Sequence, residues 1–147
     1  MANYYGSTRT NYFHVKDEEK FRDMMEHVIT YDGHIDIWEA QDREGNKTFA
    51  FGGYAIIAGY QENPKEADAD PDADPDYEEF ILNLSECLCE DDAAIIYEIG
   101  QEKLRYLSAY AIVVTSKGHE TLNLLMMACD KASEMLKNPD WETRCDY

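Results

Sequence analysis

The sequence predicts an α+β domain in which an antiparallel sheet carries its helices on one face. Three observations lead to this prediction: two stretches with apolar residues at helical spacing, two pairs of strand-like segments joined by short turns, and an internal repeat. The expected element order is β-α-β-β-α-β-β-α. A chain of 147 residues is long enough to form one domain, residues 1–147, with its own core.

A short strand is expected at Asn11–Val15, before a first helix that begins after Asp17. The side chain of Asp17 is a suitable N-cap, and acidic residues follow it in the first turn. The apolar positions of this helix recur every three or four residues, which predicts a single buried stripe. They are Phe21, Met24, Met25, Val28 and Ile29.

Two strands complete this first αββ unit, which spans residues 17–60. They are predicted at His34–Asp42 and Thr48–Tyr60, with the turn at Arg43–Asn46 between them. Gly52 and Gly53 interrupt the second strand. This pair predicts a bulge, a bend or a close approach of two backbones.

The second αββ unit is predicted at residues 76–116. Its helix begins after Asp76 as N-cap, and its strands are expected at Ala93–Gly100 and Leu104–Ser116. The apolar stripe of the helix repeats the spacing seen in the first unit. It consists of Tyr77, Phe80, Ile81, Leu84 and Leu88.

The two units resemble each other in sequence. Asp17–Phe21 aligns with Asp76–Phe80, and Gly53–Ile57 aligns with Ala109–Val113 after a small shift in register. This match predicts an internal duplication. Two arrangements remain open: a ferredoxin-like order of the first six elements, or two units related by a pseudo-two-fold axis. A C-terminal helix at residues 120–137 follows, and Asn138-Pro139 ends it.

The charge of the chain restricts its partners. Thirteen Lys and Arg residues face 31 Asp and Glu residues, so the formal net charge is −18. Duplex DNA carries this charge over roughly 30 Å of its axis, which is comparable to the diameter of a domain of this size. Such a charge excludes ordinary nucleic-acid binding and favours a basic protein or a cation as the partner.

An acidic linker at residues 61–76 separates the units, and its aspartates alternate with Ala and Pro. One interpretation is a solvated linker of low complexity. A second is a partner contact, because carboxylates two residues apart along an extended chain lie about 6–7 Å apart, close to the phosphate spacing of a DNA strand. The candidate contact residues are Asp68, Asp70, Asp72, Asp74, Asp76, Glu78 and Glu79.

A third interpretation is a weak calcium site. Asp68, Asp70, Asp72, Asp74, Asp76 and Glu79 follow the ligand spacing of an EF-hand loop. Two residues depart from that pattern. Ala73 occupies the position where the sharp turn needs Gly, and Pro75 lacks the N–H that pairs in a small sheet. We therefore expect no dedicated metal site.

Trp38 and Tyr97 occupy equivalent positions in the two units and alternate with isoleucines. If the helices cover the isoleucine face, both aromatic rings lie on the open face of the sheet. RNA-binding modules use such faces, but the shortage of basic residues argues against nucleic acid here. We predict that Trp38 and Tyr97 belong to a protein-contact surface, either for a partner or for a homodimer.

The sequence contains no catalytic signature. The four histidines lack metal-ligand spacing, and no nucleophile elbow or phosphate-binding loop is present. We therefore expect neither an enzyme nor a cofactor. The N-terminus lacks the pattern of a signal peptide, there is no apolar run that could cross a membrane, and the four cysteines are expected to be reduced. These features predict a cytoplasmic protein.

The segments Ser7–Glu19 and Asn138–Cys145 are similar to small acidic proteins carried by bacterial plasmids, integrative elements and phages. That class includes anti-restriction and anti-CRISPR proteins, several of which mimic DNA. The resemblance implies a biological context and no site residues. The expected function is non-enzymatic inhibition of a basic nucleic-acid-binding defence protein, such as a nuclease. The alternative is a structural or regulatory interaction domain that associates with itself.

Overall fold

The computed structural model of the chain describes residues 5–62, 74–102 and 105–143. Within these residues the strands are β1 (Tyr5–Thr10), β2 (Val28–Thr30), β3 (Asp36–Gln41), β4 (Lys47–Gly53), β5 (Ile57–Tyr60), β6 (Ala93–Glu102), β7 (Arg105–Thr115) and β8 (Gly118–Asn123). The helices are α1 (Glu18–Met25), α2 (Tyr77–Cys87) and α3 (Leu124–Leu136).

Six strands form one antiparallel sheet in the order β3-β4-β1-β6-β7-β8, and β2 pairs with β5 in a separate two-stranded sheet. The α+β prediction is therefore confirmed. The order β3-β4-β1-β6, with α1 and α2 in the connections, is the ferredoxin-like arrangement of the two that the sequence left open. Strands β7 and β8 extend this sheet beyond β6.

The core lies between the sheet and the pair α1 and α2. Its largest fully buried side chains include Phe21 of α1, Phe80 and Leu84 of α2, and Phe51 and Ile96 of the sheet. Both predicted N-caps are confirmed, because the Asp17 carboxylate accepts from the Lys20 N–H and the Asp76 carboxylate from the Glu79 N–H. Helix α3 has no buried residue and contacts β7 and β8.

The first strand lies earlier than Asn11–Val15, and this prediction is wrong. Strand β1 lies inside the sheet between β4 and β6, and five of its six residues (Gly6–Thr10) are small or polar, which hides it from a search for alternating apolar positions. Its buried threonines are satisfied. The Thr8 hydroxyl donates to the Ala55 carbonyl (2.7 Å), and the Thr10 hydroxyl accepts from the Phe51 N–H (3.0 Å).

Three other predicted elements have different bounds. The apolar stripe of the first helix continues into Val28 and Ile29, but α1 ends at Met25 and these β-branched residues form β2. The strand predicted at Thr48–Tyr60 divides into β4 and β5, which belong to different sheets. Residues 120–123 belong to β8, because they pair with β7, and α3 begins only after Asn123 caps it.

Candidate functional site

The described part of the acidic linker meets the fold at Asp76. Asp76 and Tyr60 exchange two backbone hydrogen bonds of 2.9 Å, so the two ends of the linker are held together. The Asp76 carboxylate is already engaged as the N-cap of α2, while Asp74, Glu78 and Glu79 are exposed beside it. Asp68, Asp70 and Asp72 lie outside the described residues.

A glycine brings strand β5 close to this point. Gly59 has φ +152°, and a Cβ there would lie 2.6 Å from the backbone carbonyl carbon of Asp76. Only glycine tolerates both that conformation and that approach. The exposed carboxylates at the start of α2 therefore project from a well-fixed corner, where the helix dipole stabilises negative charge.

Trp38 and Tyr97 lie on the open face of the sheet, as predicted. The register pairs Arg9 of β1 with both Tyr97 and Gly52, and it pairs Gly52 with Asp36. Trp38 lies two residues after Asp36 and therefore on the same face, opposite Phe51 and Ile96. Tyr97 is 40% exposed. The open face and the start of α2 are on opposite sides of the sheet, so the two predicted contact regions are not brought together.

Trp38 is not a free surface ring. The Arg9 guanidinium carbon lies 4.4 Å from its ring centroid, in a cation–π contact. Gly52 makes room for this stack, because a Cβ there would lie 2.5 Å from the Thr8 carbonyl oxygen and 3.2 Å from the Trp38 ring. Gly52, the first residue of the Gly52-Gly53 pair, is therefore needed for the Trp38 ring to pack over β4.

A groove of about 680 Å³ opens at the end of the sheet where β1 begins. Three strongly exposed tyrosines line it: Tyr5 (67%), Tyr31 (79%) and Tyr54 (94%). Asp32 and Ile99 also border it. No sequence pattern marks this groove, because the tyrosines lie in separate segments that only the fold brings together.

A second groove of about 590 Å³ continues from the first and shares Ser7 and Tyr54 with it. It is bordered by the Arg9–Trp38 stack and by Asp36. The His34 ring nitrogen lies 3.5 Å from the Asp36 carboxylate. Together the two cavities form a continuous surface, which we call the tyrosine groove, running from Tyr5 to Trp38.

His14 forms an ionic cluster at the opposite end of the sheet. Its Nδ1 lies 2.7 Å from the Asp92 carboxylate, and its Nε2 lies 2.7 Å from the Asp42 carboxylate. Both ring nitrogens face carboxylates, an arrangement that favours the doubly protonated imidazole. The hydrogen bonds to Asp42 and then to Asp92 raise the pKa of His14 above its ordinary value.

The two carboxylates respond in the opposite direction. The His14 ring, followed by the Asn46 N–H, lowers the pKa of Asp42. Burial opposes ionisation of Asp92, but the backbone N–H and the ring of His14 outweigh it and lower the pKa of that carboxyl. The cluster joins the segment after β1 to the turn after β3 and to the turn before β6. His14 therefore holds these three segments in position. No local sequence pattern indicates this role for His14.

Glu98 is a carboxyl beneath α2. The Tyr77 hydroxyl donates to its Oε1 at 3.2 Å. Burial raises the pKa of Glu98, and burial together with the Glu98 charge raises the pKa of Tyr77. This pair faces the core rather than a cavity.

Comparisons with protein-family models, curated proteins and solved structures found no match to this chain. Among the described residues, no group of three His, Cys, Asp or Glu side chains is arranged to hold a metal ion. No helix in the described ranges is long and apolar enough to cross a membrane. Cys87, Cys89 and Cys129 are free thiols.

Proposed function

We propose that this chain is a non-enzymatic acidic inhibitor that binds a basic nucleic-acid-binding protein, such as a nuclease of a host defence system. The observation that carries the proposal is the net charge of −18. A chain with this charge repels nucleic acid and attracts the proteins that bind it. The resemblance of its two ends to proteins of mobile elements supports an anti-restriction or anti-CRISPR context.

The proposed contact is the carboxylate row of Asp68, Asp70, Asp72, Asp74 and Asp76, supported by Glu78 and Glu79. Carboxylates there would replace phosphates in a groove lined by Arg and Lys, and the field of the whole chain would speed association. The exposure of Asp74, Glu78 and Glu79 beside a fixed helix start supports this assignment.

Phage plating and plasmid transformation in restricting and CRISPR-immune hosts test the proposal. Each host expresses the native chain or a row variant, in which the five linker aspartates become asparagine. Asn caps a helix as well as Asp does, so Asp76→Asn keeps the start of α2. Rescue of invading DNA by the native chain and loss of rescue in the row variant are the expected results.

A control variant keeps the same change in charge and moves it elsewhere. Glu19, Asp23, Glu44, Glu86 and Glu90 are all exposed, and their conversion to Gln or Asn removes five charges outside the row. Equal loss of rescue in both variants would show that total charge matters and the row does not. No rescue by the native chain in any of these hosts would contradict the inhibitor proposal.

The alternative is a self-associating interaction domain. The observation in its favour is the exposed apolar surface on the open face, where Tyr97 is 40% and Ile99 is 51% exposed. Size-exclusion chromatography with light scattering checks it. A dimer that Trp38→Glu converts to a monomer would favour this function over inhibition of a basic partner.

A further inference from the structure

We propose that the tyrosine groove binds an extended, arginine-bearing peptide segment of the basic partner; this inference rests on the proposed function and deepens it. The carboxylate row would then supply long-range attraction, and the groove would supply short-range recognition. The described part of the row, at the start of α2, shares no residue with the lining of the groove, so each can be tested without the other.

The exposed tyrosines provide the first argument. Tyr5, Tyr31 and Tyr54 are between 67% and 94% exposed and border one groove, although a tyrosine ring offers a large area for burial. Tyr, Trp and Arg are the side chains that dominate binding energy at protein interfaces. Here all three types occur on one continuous surface.

The walls of the groove are fixed before any ligand arrives. The Thr8 hydroxyl holds the Ala55 carbonyl at 2.7 Å, and the Tyr31 N–H donates to the Ile56 carbonyl at 3.1 Å. Gly53 allows the β4–β5 corner to lie against the loop between β2 and β3, because a Cβ there would be 2.2 Å from the His34 carbonyl oxygen. A preformed groove avoids much of the entropy cost of binding.

Charge selects the occupant. Asp32 and Asp36 border the tyrosine groove. Arg9, the one arginine among the described side chains that line it, is already stacked on Trp38, and its Nε donates to the Thr10 carbonyl at 3.1 Å. A guanidinium from a partner would meet tyrosine faces and the Asp32 carboxylate. Arg9 on Trp38 is an example, within this chain, of the contact that we assign to the ligand.

A second copy of this chain matches the groove less well. Two copies would each carry a net charge of −18, and their approach is opposed by repulsion. A basic segment gains from the same field. The extended form follows from the shape of the groove, which continues from Tyr5 past Tyr54 to Trp38.

The test uses the peptide carboxyfluorescein-Gly-Arg-Gly-Arg-Gly-Arg-amide, with the dye on its N-terminal amine, and the full chain at low salt, followed by fluorescence anisotropy. A matched peptide carries citrulline, which keeps the shape of arginine and removes its charge. We compare the native chain with the double variants Tyr31→Ser/Tyr54→Ser and Tyr31→Phe/Tyr54→Phe. Two lost cation–π contacts predict about tenfold weaker binding in the Ser variant, whereas the Phe variant keeps its π faces and its affinity.

Each outcome separates the groove from the row. Loss of affinity in the Ser variant, retention in the Phe variant and weak binding of the citrulline peptide would support the groove. Equal affinity of the Ser variant and the native chain for the arginine peptide would overturn the groove proposal. If only the row variant then loses affinity for this peptide, the inhibitor proposal still stands. A dimer that the Ser variant abolishes would also overturn the groove proposal, because a second copy would then occupy the groove. Groove binding without rescue in any host would support the groove and contradict defence inhibition.

Discussion

At the carboxyl end of β1 the chain is held by the Phe13 ring and the His14 cluster, whereas at its amino end Tyr5 borders the open tyrosine groove. Phe13 is fully buried and contacts Phe21 edge-on, with 5.7 Å between the two ring centroids. Tyr54, at the other end, is 94% exposed. The same strand therefore connects an end that stabilises the fold to an end that is available for contacts.

This difference separates aromatic residues by role. At the His14 end, rings pack against each other and against the sheet, and each ring removes apolar area from water. At the groove end, backbone hydrogen bonds and glycine contacts hold the chain, and the rings remain exposed. Substitutions at the two ends should therefore affect different measurements.

Phe13→Ala tests the packed end and should have the largest effect. Removal of a fully buried ring that contacts Phe21 and Phe51 should lower the free energy of unfolding by about 3–5 kcal/mol. Urea denaturation followed by far-UV circular dichroism measures this change. Tyr54→Ala is the matched control, with an expected change within about 0.5 kcal/mol. Similar losses in both variants would contradict the division between the two ends.

Gly52→Ala tests a tightly packed point on the open face. The new Cβ would lie 2.5 Å from the Thr8 carbonyl oxygen and 3.1 Å from the Arg9 Cα, so the backbone or the Trp38 ring must move. We expect a loss of about 1–3 kcal/mol in the free energy of unfolding. A red shift in tryptophan fluorescence should accompany it if Trp38 becomes solvated. Gly118→Ala is the control, because a Cβ there meets nothing within 4 Å.

The parts of the fold that local signals determine were predictable from the sequence. Helix α2 has a capping aspartate, acidic residues in its first turn and one apolar stripe, and it begins at Tyr77 as predicted. Strands β6 and β7 are long runs rich in β-branched and aromatic residues. In each case the chain near the element contains all the information that determines it.

The wrong predictions concern segments whose conformation is determined by residues distant in the sequence. Val28 and Ile29 continue a helical stripe, but pairing with β5 makes them a strand. The His14 cluster joins residues 28 and 78 positions apart, and no local pattern marks such a pair. The tyrosine groove escapes prediction for the same reason, since it joins the start of β1 to two later loops. Only the Trp38–Tyr97 face followed from strand periodicity.

His14→Gln tests the ionic cluster through pH. Because the folded pKa of His14 is raised above 6.5, its contribution to stability is complete below pH 6.5 and is lost as pH rises through the folded value. The pKa values of Asp42 and Asp92 are lowered, so their contribution disappears as pH falls below about 3.8. Thermal melts of the native chain should therefore show a decline in Tm above pH 6.5 that His14→Gln removes. His119→Gln, at an exposed position, should keep the decline.

Tyr31→Ser should have the smallest effect on stability and is the sharpest test of the comparison. The ring is 79% exposed, so its removal should change the free energy of unfolding by no more than about 0.5 kcal/mol. Urea denaturation measures this change, with Tyr60→Ser as a control, because Tyr60 stacks on His27 at 5.2 Å and packs against the core. A large loss in Tyr31→Ser would mean that the ring supports the fold. An unchanged stability would mean that Tyr31 is exposed without structural need, which is the property expected of a side chain kept for contact with a partner.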